Sequence, residues 1–250
     1  MQYNTQGSTM DHTAHGMIFD ILRCGTDDGP GVRTTVFFKG CPLRCRWCHN
    51  PESQSFDPQL SFDFEKCVSC GRCATVCSNH RIRDGRHTVD FEKCVSCGKC
   101  VSVCPVNALE IKGKQSRVED VMRIVRRDVP YYDRSGGGVT FSGGEPFAQA
   151  DFLRALLTCC KEENIHTAVE TSGFFPASIL PSILPLVDLF LWDYKVTEDS
   201  AYWTGADREV ILGNLRCVRE HGGQVRLRCP VIPGVNDNET HMAAIAFHCH

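Results

Sequence analysis

The sequence of 250 residues has no long apolar run and little net charge. Because no stretch of about 18 apolar residues occurs, we expect no transmembrane span and no membrane partner. A formal net charge of −3 favours neither nucleic acid nor an anionic surface as the main partner. The first 16 residues contain no apolar stretch, so no secretory signal is visible. We therefore expect a cytoplasmic protein with a disordered tail over residues 1–16.

Cysteine, in contrast, is abundant, with 17 residues in the chain. An odd number of cysteines without a secretory signal argues against a disulfide scaffold, and thiolates in a reducing compartment are more often metal ligands. Eleven of the 17 fall into three short runs. The other six match no motif, and we expect them to be small, buried, apolar side chains. These six are Cys24, Cys159, Cys160, Cys217, Cys229 and Cys249.

The first run has the spacing C-x3-C-x2-C and consists of Cys41, Cys45 and Cys48. Three thiolates on one tight loop can hold three irons of a 4Fe–4S cubane, which leaves the fourth iron without a protein ligand. An open coordination position is typical of a catalytic metal centre rather than a structural one. Two alternatives stay open from spacing alone: a zinc site completed by His49, or a ferredoxin site with a remote fourth cysteine.

The second and third runs belong to an internal repeat, because residues 63–73 recur at 90–100 with one change. Both runs read C-x2-C-x2-C-x3-C, the pattern of bacterial two-cluster ferredoxins, in which the fourth cysteine of each run binds the other cluster. The pattern predicts a small insert with pseudo-two-fold symmetry over residues 60–115, although a pair of zinc knuckles is an alternative. One predicted cluster is held by Cys67, Cys70, Cys73 and Cys104, and the other by Cys94, Cys97, Cys100 and Cys77. Fully ligated clusters carry electrons and leave no position for a substrate.

Outside the insert, predicted strands and helices alternate, and a hydrophobic fraction of 42% suits one large α/β domain with a small insert. A capping box from Ser116 to Glu119 is predicted to open a helix. Because catalytic groups gather at the carboxyl ends of parallel strands, we expect the site there. Strands are predicted over residues 17–22, 33–39, 138–141, 166–171, 189–194 and 224–231, and later helices over 151–163 and 209–220.

The first run and its surroundings, residues 28–33 and 40–53, resemble the radical S-adenosylmethionine (SAM) activases of glycyl radical enzymes. The insert resembles the subgroup that activates dehydratases, decarboxylases and C–N or C–S lyases. The resemblance implies an α/β fold, a partial (β/α)6 radical SAM barrel over residues 17–59 and 116–250, with a bacterial-ferredoxin-like insert at 60–115. In that family a further strand follows the segment that matches residues 231–234, whereas this chain stops at His250, so we expect a C-terminally truncated barrel.

The resemblance also implies roles for single residues. SAM would chelate the open iron at Cys41, Cys45 and Cys48, which makes these the catalytic cysteines. Asp28 would contact the glycine segment of the partner. Contacts to SAM are expected from Trp47, Cys48, His49, Gly144, Glu145, Asp193, Tyr194, Lys195 and Arg228. A monovalent cation is expected at Glu170, Thr171 and Asp193, because oxygen ligands suit such an ion.

Plainer interpretations stay open for several of these residues. Residues 142–145 could form an ordinary strand-to-helix turn, and Trp47 could belong to the core. Asp193 and Lys195 could form a surface ion pair, which contributes little to stability. Arg228 could be a solvated surface arginine.

The implied function is activation of a glycyl radical enzyme by a monomer with three 4Fe–4S clusters. A flavodoxin or ferredoxin would deliver the electron, SAM would be cleaved to methionine and a 5′-deoxyadenosyl radical, and that radical would abstract hydrogen from a glycine of the partner. Alternatives are another radical SAM reaction with auxiliary clusters, such as sulfatase maturation, a non-catalytic electron carrier, and a zinc-binding interaction module.

Overall fold

The computed structural model describes residues 14–249. The strands are β1 (His15–Gly25), β2 (Arg33–Phe38), β3 (Gln59–Phe62), β4 (His80–Arg83), β5 (Arg86–Val89), β6 (Leu109–Lys112), β7 (Lys114–Arg117), β8 (Gly138–Gly143), β9 (Thr167–Thr171), β10 (Leu189–Asp193) and β11 (Val225–Arg228). The helices are α1 (Arg72–Val76), α2 (Lys99–Ser102), α3 (Val118–Val125), α4 (Val129–Ser135), α5 (Ala150–Glu162), α6 (Leu180–Ile183), α7 (Ser200–Thr204), α8 (Arg208–Glu220) and α9 (Glu239–His248). Within the described range, none of these helices has the length and apolar character needed to cross a membrane.

The large sheet has seven strands in the order β11-β10-β9-β8-β2-β1-β7. Strands β2, β8, β9, β10 and β11 are parallel, whereas β1 is antiparallel to both of its neighbours. The carboxyl ends of the parallel strands therefore meet along one edge, called here the carboxyl edge. The predicted mixed α/β fold with a parallel sheet is confirmed.

The central strands are buried on both faces, as parallel strands covered by helices are. Val139 and Phe141 of β8 and Phe190 of β10 are all fully buried. Helix α5 covers one face with apolar side chains at helical spacing, among them Leu153 and Leu156, which are also fully buried. Each such side chain stabilises the fold by about 1.5–3 kcal/mol through loss of water contact. This core fixes the strand ends from which the site is built.

The insert consists of two small two-stranded sheets, β3 with β6 and β4 with β5. Helices α1 and α2 are short and begin after Gly71 and Gly98, both of which adopt left-handed backbone geometry with φ of 77° and 74°. Strands β2 and β8 are neighbours with Arg33 paired to Gly138. The chain leaves the large sheet after β2, forms the insert, re-enters the sheet as β7 beside β1, and then reaches β8.

The predicted capping box is wrong. Ser116 lies in β7, where it pairs with Gly16 of β1, so it is part of a strand and not a helix cap. Arg117 occupies the N-cap position of α3 without a side-chain cap, and its guanidinium contacts Asp120 with Nε 3.0 Å from Oδ2. A pairing with a strand about 100 residues earlier outweighs the local capping preference.

Two other expectations need correction. Strand β1 begins at His15, so residues 15 and 16 are not part of a disordered tail, while residues 1–13 of that tail lie outside the described range.

Cys24 and Cys249 are exposed, so the expectation of burial is wrong for both, whereas Cys159 and Cys160 are buried. Cys24 sits at the irregular end of β1 with a φ of 57°, where the strand leaves the core.

Candidate functional site

The first cysteine run forms a loop at the carboxyl end of β2. Gly40 starts the loop with a φ of 104°, and its N–H donates to the Ser53 carbonyl at 2.7 Å. On the far side, the Arg44 N–H donates to the Thr204 carbonyl at 2.7 Å. Leu43, only 2% exposed, anchors the centre of the loop in the core. The loop is thus fixed on both sides, and its three cysteines are half-buried.

Burial favours the protonated form of two of these thiols. It raises the pKa of Cys41 to about 12, and the nearby Glu145 carboxylate adds to this effect. Burial also raises the pKa of Cys45, against the opposing influence of the Lys195 ammonium. Binding of cationic iron to Cys41 and Cys45 would therefore have to displace their protons. Three sulfurs on one loop fit three irons of a cubane and leave the fourth iron open.

A glycine-rich turn at the end of β8 lies directly against the cysteine loop. The Gly144 N–H donates to the Phe38 carbonyl at 2.7 Å, and the Glu145 N–H donates to the Gly40 carbonyl at 2.8 Å. A Cβ added at Gly144 would collide with the Gly40 carbonyl and lie 3.1 Å from the Ser53 carbonyl oxygen. Only glycine fits this approach, so the turn presents bare backbone beside the cysteines.

Glu145 is fully buried, and its carboxylate joins this turn to the end of β9. It accepts hydrogen bonds from Thr171 Oγ1 at 2.8 Å, from Ser172 N at 2.9 Å and from Ser172 Oγ at 2.5 Å. The side chains of Glu145 and Thr171 are thus occupied with each other. The roles expected of Glu145 in binding SAM and of Thr171 in binding a cation remain predictions.

Five charged side chains gather at the carboxyl edge, and together they are called here the charged group. They come from the ends of β9, β10 and β11 and from the β1–β2 loop. Arg228 Nη1 lies 3.2 Å from Glu170 Oε1 and 3.5 Å from Asp28 Oδ1, and Lys195 Nζ donates to Asp193 Oδ2 at 2.7 Å. Three carboxylates face two cations, which leaves an excess of negative charge when all five are ionised.

The pKa shifts within the charged group follow from burial and from this excess. Burial raises the pKa of Glu170 to about 7, and the charge of Asp193 adds to the effect, whereas Arg228 opposes it. Although burial works against it, the Asp193 carboxylate raises the pKa of Lys195, and Cys45 and Glu170 contribute to the rise. The mutual influence of Lys195 and Cys45 shows that the charged group and the cysteine loop adjoin.

Not all predicted SAM contacts reach this place. Tyr194 is 2% exposed and its ring stacks on His241 with 5.4 Å between centroids, so its side chain belongs to the core. Strand alternation explains this, because Asp193 and Lys195 point to the opposite side. Trp47 is half-buried with its ring centroid 5.9 Å from that of Trp203, and His49 is exposed.

In the insert, the structure groups the cysteines across the two repeats. Cys67, Cys70, Cys73 and Cys104 line one small cavity. The nearby Cys77 and Cys94 contribute to raising the pKa of Cys100, which places Cys77 of the first run beside the second run. Both groupings are compatible with the crossed ligand sets, which remain a prediction. Cys73 and Cys100 are buried, whereas Cys70 and Cys97 are exposed.

Two histidines beside the first of these sets were missed by the sequence reasoning. His87 lines the same cavity, with Nδ1 3.4 Å from Cys67 Sγ and Nε2 3.5 Å from Cys73 Sγ. Its Nε2 also lies 2.9 Å from Nδ1 of His80, which is buried. Burial lowers the pKa of both imidazoles. A signal was present in the sequence, because His80 and His87 lie inside the predicted insert, between its two cysteine runs.

Comparison with known proteins gives a consistent result. A family model described as a 4Fe-4S single cluster domain matches residues 27–203. The isethionate sulfite-lyase activating enzyme of Nitratidesulfovibrio vulgaris is 42% identical over 250 aligned residues, which cover 96% of this chain and 81% of that protein. The trans-4-hydroxy-L-proline dehydratase activating enzyme of Clostridioides difficile is 40% identical, with coverage of 90% and 76%.

Two further relatives complete the comparison. The benzylsuccinate synthase activating enzyme of Thauera aromatica is 40% identical, and the alignment covers 94% of this chain and 79% of that protein. A solved domain of a pyruvate-formate lyase-activating enzyme from Bacteroides vulgatus is 32% identical over 45% of this chain and 71% of that chain, with a TM-score of 0.42.

Proposed function

The chain belongs to the radical SAM activating enzymes of glycyl radical enzymes, and from this premise we propose how its own residues serve that reaction. It is an enzyme that uses a 4Fe–4S cluster and SAM and acts on a glycyl radical enzyme. We propose three 4Fe–4S clusters, one open and two closed. The observation that carries the proposal is the meeting of three half-buried thiols, a bare glycine turn and the charged group at one carboxyl edge.

The open cluster and SAM, when bound, supply one chemistry: a single electron cleaves SAM to methionine and a 5′-deoxyadenosyl radical, which takes a hydrogen atom from a glycine Cα of the partner. Cys41, Cys45 and Cys48 would hold the cluster. Gly144 would let the backbone approach the methionyl amine. Lys195 and Arg228 would attract the SAM carboxylate, with the planar guanidinium suited to bidentate pairing.

The cation site is proposed at Glu170 and Asp193. Their oxygens are hard ligands, and the raised pKa of Glu170 indicates a place where more positive charge would be favourable. Thr171 is left out of this proposal, because its hydroxyl donates to the buried Glu145. The Asp28 carboxylate lies 3.5 Å from Arg228 Nη1, and we propose that its loop meets the glycine segment of the partner.

The insert is proposed to be a ferredoxin-like module within a partial (β/α)6 barrel. Its two crossed cysteine sets would hold closed clusters that accept electrons from a flavodoxin or ferredoxin. The paired small sheets and the left-handed Gly71 and Gly98 support this arrangement, since both repeats turn tightly around their cysteines.

The test is anaerobic reconstitution of the chain with iron and sulfide, followed by metal analysis and reduction in the presence of SAM. We expect about twelve irons per chain, as three cubanes require, and release of 5′-deoxyadenosine. Cys45→Ala should lose about four irons and abolish SAM cleavage, because two sulfurs do not hold the open cluster. Cys24→Ala, a change of an exposed cysteine outside the runs, is the matched control.

The partner reaction separates the alternatives. With a glycyl radical enzyme as substrate, electron paramagnetic resonance should detect a carbon-centred radical on a glycine of that partner. Mass spectrometry that found an oxidised serine or cysteine instead would point to the sulfatase-maturation type. Fully loaded, reduced protein that left SAM intact would contradict the proposal and favour a simple electron carrier.

A further inference from the structure

The two halves of the insert are alike in backbone but differ at one inward position. In one small sheet, His87 of β5 pairs with Ile82 of β4. In the other, Leu60 of β3 pairs with Ile111 of β6. His87 and Leu60 are 27 residues apart, the same interval that separates the repeated cysteine runs. His87 therefore occupies the position in its half that Leu60 occupies in the other.

A second position shows the same replacement. His80 pairs with Val89, as Leu109 pairs with Phe62 across the corresponding small sheet. Leu109 is 3% exposed and His80 is also 3% exposed, so both positions face the interior. One half of the insert thus has two imidazoles where the other half has two leucines. The first cysteine set has nitrogen beside it, whereas the corresponding positions of the other half are hydrocarbon.

The contacts of His87 define its hydrogen bonds. Once Cys67 is a thiolate ligand, it can only accept a hydrogen bond, and Nδ1 of His87 at 3.4 Å is the nitrogen placed to donate to it. Nε2 of His87 lies 3.5 Å from Cys73 Sγ and only 2.9 Å from Nδ1 of His80, and we assign it as the acceptor in the shorter of these two contacts. The two rings form a chain in which His80 donates to His87 and His87 donates to the sulfur.

We propose that His87, oriented by His80, donates a hydrogen bond to the Cys67 sulfur and makes the first insert cluster easier to reduce than the second. The inference rests on the two insert clusters proposed above. A hydrogen bond to a cluster sulfur stabilises the more negative, reduced state and so raises the reduction potential. Leu60 offers no such donor to the other half. His87 is thus a positioning residue that decides which insert cluster holds the electron.

The experiment is a redox titration of the fully reconstituted chain, monitored by electron paramagnetic resonance, with a pair of exchanged variants. His87→Leu introduces the residue type that the other half has at Leu60, and it should lower the reduction potential of the first insert cluster without loss of iron. Leu60→His places an imidazole in the other half and should raise the potential of the second cluster. His87→Gln keeps an N–H donor and should restore part of the shift. Pulsed measurements should detect a nitrogen or exchangeable-proton coupling that His87→Leu removes.

Several outcomes would overturn the inference. If His87→Leu loses about four irons, the imidazole is a cluster ligand and not a hydrogen-bond donor to one. Unchanged potentials and couplings in a fully loaded His87→Leu variant would remove the proposed role directly. A parent protein with only about four irons would contradict the proposed insert clusters themselves, and this failure is visible before any variant is made.

Discussion

Replacement of Glu170 by glutamine should stabilise the protein at alkaline pH. Glu170 has a folded-state pKa of about 7, raised from an ordinary value of 4.5 by burial and by Asp193. Between these two values the folded state binds more protons than the unfolded state, so stability falls as pH rises through the window. Glutamine resembles the protonated acid. Its side-chain oxygen can accept a hydrogen bond from Arg228. Its amide group can donate to the hydroxyl of Ser142, which in the parent protein donates to the Glu170 carboxylate.

The size of the effect follows from the pKa difference. At a pH where Glu170 is ionised in both the folded and the unfolded state, the difference between a pKa of 4.5 and one of about 7 lowers the free energy of unfolding by about 3 kcal/mol, relative to a side chain that stays neutral. From about pH 5.5 to about pH 8.5, the stability advantage of Glu170→Gln over the parent should grow by about 2 kcal/mol. The Glu170 side chain is 18% exposed, so solvent screening removes little of this difference.

Urea-induced unfolding of reconstituted protein, followed by tryptophan fluorescence across this pH range, measures the effect. SAM and alkali-metal ions are left out, because either would neutralise the charged group. Glu162→Gln is the control, since Glu162 is an exposed glutamate on α5 and its replacement should not alter the pH dependence. A Glu170→Gln variant that is less stable than the parent at alkaline pH, or a difference that is the same at every pH, would refute the reasoning.

Three further changes have defined outcomes. Glu145→Ala should lower the free energy of unfolding by about 3 kcal/mol or more, because it leaves the buried Ser172 donors without an acceptor; a loss under about 1 kcal/mol in urea titrations would contradict this. Gly144→Ala should weaken SAM binding at least tenfold in calorimetry, because its Cβ would push the turn away from Gly40, and unchanged affinity would count against the proposed backbone contact. Gly213→Ala, in the interior of α8 with open space around the new methyl group, should raise stability by about 0.5–1 kcal/mol in thermal or urea unfolding, and a loss would be contrary to expectation.

Much of the fold followed from local patterns. The strand that contains Val139 and the strand that contains Phe190 were predicted from apolar, β-branched or aromatic runs, and parallel pairing placed their ends at one edge. The crossed cysteine sets, which remain a prediction, are inferred from spacing, because ligands three residues apart on a tight turn can reach one cluster. The proximity of Asp193, Lys195 and Arg228 could be predicted because all three lie at or just after the ends of neighbouring strands.

The parts that were not predicted depend on contacts distant in sequence. The capping box at Ser116 satisfied a local rule, but its backbone pairs with Gly16. Glu145 has a full set of hydrogen bonds from a turn 27 residues later, which no local pattern reveals. The prediction that the Tyr194 side chain contacts SAM was avoidable, because alternation along the strand already places it on the other side from Asp193. His87 was detectable too, by aligning the repeat beyond its cysteines.

The backbone bonds between the glycine turn and the cysteine loop have a consequence for assembly. Gly144 and Glu145 donate to the Phe38 and Gly40 carbonyls, so no side chain lies between the two segments to absorb a shift of either. A displacement of the loop that begins at Gly40 is passed directly to the turn 104 residues later. We therefore expect incomplete metallation of the cysteine loop to disturb the glycine turn as well, so that chains without their iron bind SAM more weakly.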